Sequence, residues 1–123
     1  MIKLLVLGAG GFLGAIGRYW ISGLAQRFYG SFPMGTLTVN VLGSFLLGFL
    51  ATLFLERLTV SLELRLFLLI GVLGSFTTYS TFSLETMNLM REGDWWFVIL
   101  SVGGNLVVGL LAVASGMILA RTV

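Results

Sequence analysis

The residues with the most chemistry in this sequence lie between Gly71 and Glu85, in the run GVLGSFTTYSTFSLE. Gly71, Gly74 and Ser75 are poor helix formers set where a straight helix would prefer better ones. The hydroxyls of Thr77, Thr78, Ser80, Thr81 and Ser83 follow, and Phe76, Tyr79 and Phe82 recur at every third position. A phenyl ring has a negative face and a positive edge, so ring edges attract anions. Edges interleaved with hydroxyl and amide donors could replace the water around a small anion, much as carbonyls replace it around potassium. A helix interrupted near Gly74–Thr78 would also release backbone carbonyls, which are good ligands for a hard cation. The plainer alternative is an aromatic stripe whose hydroxyls bond back to their own helix.

Three further side chains carry polar chemistry in apolar surroundings. Asn40 and Asn105 are amides that need partners in hydrocarbon: another helix, or an anion in a pore. Arg18 costs roughly 2.5 kcal/mol or more near the centre of a membrane helix. It either snorkels to the interface or attracts anions to a pore vestibule. Catalysis has little to work with. Histidine and cysteine are absent, no GxxxxGK[ST] nucleotide motif occurs, and no carboxylate pair stands in a plausible site. An enzyme is therefore not expected, and thiol or imidazole metal centres are excluded.

The elements that must position these residues follow from composition. Of 123 residues, 58% are hydrophobic and only 10% charged, with a mean hydropathy of +1.07. Water-soluble domains carry about 25% charged residues, so the chain is read as an all-α integral membrane protein forming one domain over residues 1–123. A spanning helix needs about 20 apolar residues. The charges divide the chain into four such segments: about Ile2 to Leu24, Arg27 to Glu56, Arg65 to Glu85, and Asp94 to Arg121. Pro33 suits the first turn of the second. A signal peptide over Met1 to about Ala25 is disfavoured, because similar apolar segments follow and no convincing cleavage site ends this one.

Small or polar residues recur at helical spacing: Gly10, Gly14 and Gly17 in the first span, Thr36, Asn40, Ser44 and Gly48 in the second, Ser101, Asn105, Gly109 and Gly116 in the fourth. Close helix packing accounts for most of the glycines. The basic residues stand singly between apolar runs, as membrane-edge anchors and not as a nucleic-acid surface. Lys3, Arg57, Arg65 and Arg121 fall towards one side of a four-span topology; Arg18, Arg27 and Arg91 fall towards the other. So small a bias leaves both orientations open to insertion. Mixed orientation permits an antiparallel dimer with its two-fold axis in the membrane plane.

With GGFLGAIGRYW around Gly10–Trp20 and GTLTVNVLGSF around Gly35–Phe45, the Gly71–Glu85 run resembles the CrcB/Fluc family of fluoride channels over essentially the whole chain. The resemblance implies a dual-topology homodimer in the bacterial plasma (inner) membrane, with a broken third helix and two fluoride pores. It implies a structural Na+ at the dimer centre, held by the backbone carbonyls of Gly74 and Thr77. Tyr79 and Phe82 would supply pore rings, Asn40 the pore amide, and Arg18 the vestibule cation. Ser80, Thr81, Ser83 and Glu85 would form a polar track, and Asn105 a polar position in the fourth helix. Two departures stand out: Tyr79, where the family commonly has phenylalanine, adds a hydroxyl, and Ser75 replaces a common glycine. A small multidrug exporter would share length and topology but needs a carboxylate in the first helix, and none is present. A scaffold subunit would transport nothing and keep its third helix dry.

Overall fold

The computed structural model describes all 123 residues, and every regular element is helical. Four helical stretches are long and apolar enough to cross a membrane: Ile2–Gln26, Met34–Glu56, Leu62–Glu92 and Trp95–Thr122. We label the first two α1 and α2 and the last α5. The third is not uniform. Residues 62–76, here α3, are helical, Thr77 and Thr78 are extended (φ −86°, ψ 160° and φ −152°, ψ 117°), and α4 covers Tyr79–Glu92. Residues Leu66–Leu73 of α3 and Gly104–Val108 of α5 are wound as π-helix, a form common near functional sites and not anticipated from sequence.

Segment ends are set by caps more than by charges. The Ser61 hydroxyl accepts the Leu64 N–H at 3.2 Å and starts α3. Gly93 takes the left-handed conformation at φ 74° and stops α4, while the Asp94 N–H returns to the Leu89 carbonyl. The third span therefore overruns the expected Arg65–Glu85 limits at both ends. Both of those charges are part-buried with internal partners: Arg65 Nη2 donates to the Phe54 carbonyl at 2.9 Å, and Glu85 accepts from Thr36 at 2.8 Å. Pro33 lies just ahead of α2 instead of in its first turn, and its carbonyl accepts the Leu37 N–H. Gln26 organises the loop before it. Its Nε2 lies 2.8 Å from the Tyr29 and Phe32 carbonyls, and its Oε1 accepts the Gly35 N–H at 3.1 Å.

Close backbone approach holds the bundle. A Cβ on Gly10 would collide with the Phe67 carbonyl of α3, and one on Gly14 with the Val72 carbonyl and Ser75 Oγ. Across the bundle, Gly48 and Gly116 let α2 and α5 meet backbone to backbone, against the Val113 and Phe45 carbonyls. Packing is thus the role of these glycines, as small residues allow in lipid. At one end Arg121 Nη2 pairs with Glu56 at 3.0 Å. Only 20 of the 123 residues are buried in the single chain, so most apolar side chains face outward.

The α1–α3 contact makes a direct test. Gly14→Leu forces the helices apart and is expected to cost about 1–3 kcal/mol, the usual penalty for overpacking, seen as a lower unfolding midpoint in detergent. Gly8→Leu, where a Cβ meets nothing within 4 Å, serves as the control; equal midpoints for the two variants would remove the contact from the account.

Candidate functional site

The extended pair Thr77–Thr78 organises the polar centre of the molecule. In a continuous helix the Thr78 N–H would bond the Gly74 carbonyl; here it donates to Asn40 Oδ1 at 2.8 Å. Asn40 Nδ2 in turn donates to the Thr78 carbonyl at 3.0 Å. One amide side chain thereby satisfies both polar groups of one peptide residue, which hydrocarbon would leave unpaired. The same Nδ2 also donates to Asn105 Oδ1 at 2.8 Å, and Asn105 Nδ2 donates to the Ser101 carbonyl, also at 2.8 Å. Asn40 therefore links α2, the extended pair ahead of α4 and α5, and both of its N–H groups are engaged inside the protein.

The hydroxyls divide into two sets. Thr77, Ser83 and Thr86 bond back to the carbonyls four residues earlier, at 2.8–3.1 Å, which is the plainer of the two expectations. Thr78 instead caps α4. Its Oγ1 accepts the Thr81 N–H at 3.2 Å, donates to Thr81 Oγ1 at 3.0 Å and lies 3.5 Å from Ser80 Oγ. With the Thr81 N–H drawn to that hydroxyl, the Thr77 carbonyl loses its usual helical donor, as the Gly74 carbonyl does. Farther along, Thr36 Oγ1 donates to Glu85 Oε1 at 2.8 Å, while Glu85 Oε2 is buried without a partner. Buried Ser101 lies 3.4 Å from the Thr86 hydroxyl.

The aromatic row does not continue through the extended pair. Phe76 is buried, its ring 3.6 Å from where a Cβ on Gly17 would lie. Tyr79 and Phe82, on the far side, pair at 5.8 Å between centroids with 60° between planes. Two extended residues change the angular register, so the three-residue spacing no longer keeps all three rings on one side. Tyr79 and Phe82 border a groove of about 240 Å³ that Asn40, Ser44, Thr77 and Asn105 also line. Tyr79 is 78% exposed. The expected group is thus partly brought together: Asn40, Asn105, Tyr79 and Phe82 meet, with Ser80 and Thr81 next to them, and Glu85 sits further along α4. Arg18 does not join them; its guanidinium makes no hydrogen bond or ion pair within the chain, and its carbonyl accepts from Ser22. The parts played by Gln26 and Thr86, and the bond between Thr36 and Glu85, are not evident from the sequence. The four-residue spacing of Ser101 and Asn105 was the one available signal.

A four-span bundle with an extended, amide-paired peptide beside an aromatic groove defines a membrane protein built around a polar seam, with no catalytic constellation. Residues 5–117 match the family described as CrcB-like protein, Camphor Resistance (CrcB), and the chain belongs to that family. A protein of Opitutus terrae named fluoride-specific ion channel FluC is 50% identical over 119 residues, covering 94% of this chain and 90% of its own. Proteins of the same name from Pyrococcus horikoshii and Maridesulfovibrio salexigens are 46% identical over 122 residues and 40% identical over 124. Those two alignments cover 98% and 100% of this chain, and 96% and 98% of the relatives.

Removing the Asn40 amide tests the seam. Asn40→Ala leaves the Thr78 N–H and carbonyl unpaired, at about 1–3 kcal/mol for each buried group. The expected result is a lower unfolding midpoint, with the Thr78 amide exchanging hydrogen at least as fast as the helix ends. An unchanged exchange rate would mean that Asn40 does not hold this peptide.

Proposed function

We propose that this chain is one half of a fluoride-selective channel, an antiparallel dual-topology homodimer that passively exports fluoride across the plasma membrane through two pores. The observation that carries this reading is the groove in which the Tyr79 and Phe82 rings stand against the Asn40 and Asn105 amides. It brings aromatic rings and amide side chains together inside a bundle akin to proteins named fluoride-specific ion channels. The third helix, broken at Thr77–Thr78, is the functional centre of each half.

The outward face of α4 supports pairing. Tyr79, Ser80, Thr81 and Asn88 are exposed in the single chain, and lipid cannot satisfy their polar atoms. A second copy in the opposite orientation would cover some of them and leave the others lining water. The near balance of basic residues between the two sides suits that arrangement. Arg18, unpaired within the chain, would face the vestibule and raise the local anion concentration. The chemistry of the break fits a structural sodium ion. The N–H groups that would bond the Gly74 and Thr77 carbonyls are diverted to Asn40 Oδ1 and Thr78 Oγ1, and carbonyl oxygens are ligands a hard cation favours. Bound there, the ion would fix the crossing of two broken helices.

Transport then needs no energy source beyond the gradient. Fluoride enters as the neutral acid, dissociates at cytoplasmic pH and is trapped as the anion. An inside-negative potential drives it outward by about 2.3 kcal/mol per 100 mV. Within the pore, ring edges and donors replace water that a small anion holds strongly. A proton-coupled cation exporter is not supported, because α1 contains no carboxylate.

Liposomes holding only the purified protein make the test. A fluoride electrode should record release on addition of a potassium ionophore, while a chloride electrode records none; equal rates, or no fluoride release, would overturn the proposal. Phe82→Ile keeps bulk but loses the ring edge. It is expected to slow release about two- to tenfold, an aromatic-edge contact being worth roughly 0.5–1.5 kcal/mol.

A further inference from the structure

The hydrogen-bond inventory at Asn40 raises a chemical question. A primary amide has two N–H donors, and here one goes to the Thr78 carbonyl at 3.0 Å and the other to Asn105 Oδ1 at 2.8 Å. An anion in the neighbouring groove finds no idle donor on this side chain. For Asn40 to serve fluoride, one of these bonds must yield.

The two bonds differ in what holds them. The Thr78 link is one member of a pair, closed by the Thr78 N–H on Asn40 Oδ1, and breaking it would strand a peptide carbonyl in the bundle. The Asn105 link is a single bond between side chains, and Asn105 borders the groove with Tyr79 and Phe82. The orientation of both amides is fixed by their neighbours. Thr78 N–H requires an oxygen from Asn40, which turns Asn40 Nδ2 towards Asn105. The Ser101 carbonyl requires a nitrogen from Asn105, which turns its oxygen towards Asn40.

We propose that Asn105 Oδ1 is an internal competitor for the anion, occupying the donor of Asn40 that fluoride takes, and so sets which anions the groove accepts. The inference rests on the channel reading given above. A neutral amide oxygen is a moderate acceptor. Fluoride, small and of high charge density, is a stronger one and displaces it. Chloride, larger and a weaker acceptor, does not, so Asn105 acts as a threshold. Displacement opens one hydrogen bond and closes another while the Asn40–Thr78 pair stays intact, so the helix interruption need not rearrange each time an ion passes. Asn105 is accordingly a specificity-determining residue acting through Asn40.

The test reads the Asn40 side-chain amide by nitrogen–proton NMR of the ¹⁵N-labelled full chain in bicelles, titrated with sodium fluoride or sodium chloride. In the unaltered protein, fluoride should shift one of the two Asn40 Nδ2 protons and chloride neither. Asn105→Ala removes the competitor: the fluoride midpoint should fall about fivefold, the ratio equivalent to one net hydrogen bond, and chloride should begin to shift the same proton and to leak from liposomes. Asn105→Asp supplies a charged acceptor of the same shape, so its midpoint should rise and fluoride release should slow. General damage to the fold would move both variants the same way, and that result overturns the inference. So would an Asn105→Ala midpoint that is unchanged or higher, or Asn40 protons unmoved by fluoride in a protein that still releases it. Loss of fluoride release from the unaltered protein would instead strike the channel reading itself.

Discussion

A backbone that leaves its helix inside a bilayer must find partners for the groups it frees, and in this protein a single asparagine supplies both of those at Thr78. Asn40 Oδ1 accepts from the Thr78 N–H and Asn40 Nδ2 donates to the Thr78 carbonyl. The pairing resembles one rung of a β-ladder, made by a side chain from another helix. Much of the polar centre depends on that rung. It permits Thr77 and Thr78 to be extended, lets the Thr78 hydroxyl cap α4, and leaves the Gly74 and Thr77 carbonyls without their usual helical donors. It also turns Asn40 Nδ2 towards Asn105.

The rest of the bundle keeps that rung in place. Gly10 and Gly14 bring α1 against the π-wound part of α3, and Ser75 Oγ lies within 3.2 Å of the Gly11, Gly71 and Val72 carbonyls. The π winding changes which side chains face α1 just before the extended pair. On the opposite flank, Gly48 and Gly116 fix α5 against α2, and so hold Asn105 within reach of Asn40. Small residues at these crossings trade side-chain contact for backbone proximity, a trade that lipid, unlike water, makes favourable. The Tyr79–Phe82 pair is held by α4 on one side of the groove and the two amides by α2 and α5 on the other. Its shape therefore depends on all three.

Membrane class, the four spans and family membership were all legible in the sequence, because charges are scarce and the glycine and hydroxyl motifs are distinctive. Span limits were less so. Arg65 and Glu85 look like boundaries, but each has a partner inside the protein, on Phe54 and Thr36. The real limits are local caps, at Ser61 and Gly93. Within the candidate site, Asn40 and Asn105 stood out as buried amides, but their mutual bond joins residues 65 apart in sequence, a separation that no periodicity encodes. The aromatic spacing misled for a related reason. It assumes one continuous helix, and two extended residues were enough to send Phe76 into the core and leave Tyr79 and Phe82 in the groove. Arg18 remains apart from the polar centre of its own chain, which a sequence motif had no means of indicating.

The turn at Gly93 and Asp94 has a consequence for biogenesis. Two residues of extended chain reach at most about 7 Å, whereas the hydrocarbon core is about 30 Å thick. The end of α4 and the start of α5 therefore cannot rest on opposite leaflets, so the third and fourth spans must run antiparallel with this turn at one surface. The stretches from Arg27 to Pro33 and from Arg57 to Ser61, at most about 25 Å and 18 Å when extended, are also too short to cross. Whichever way the ribosome delivers the chain, the orientation of all four spans is settled together, and partially inverted forms are ruled out by reach alone.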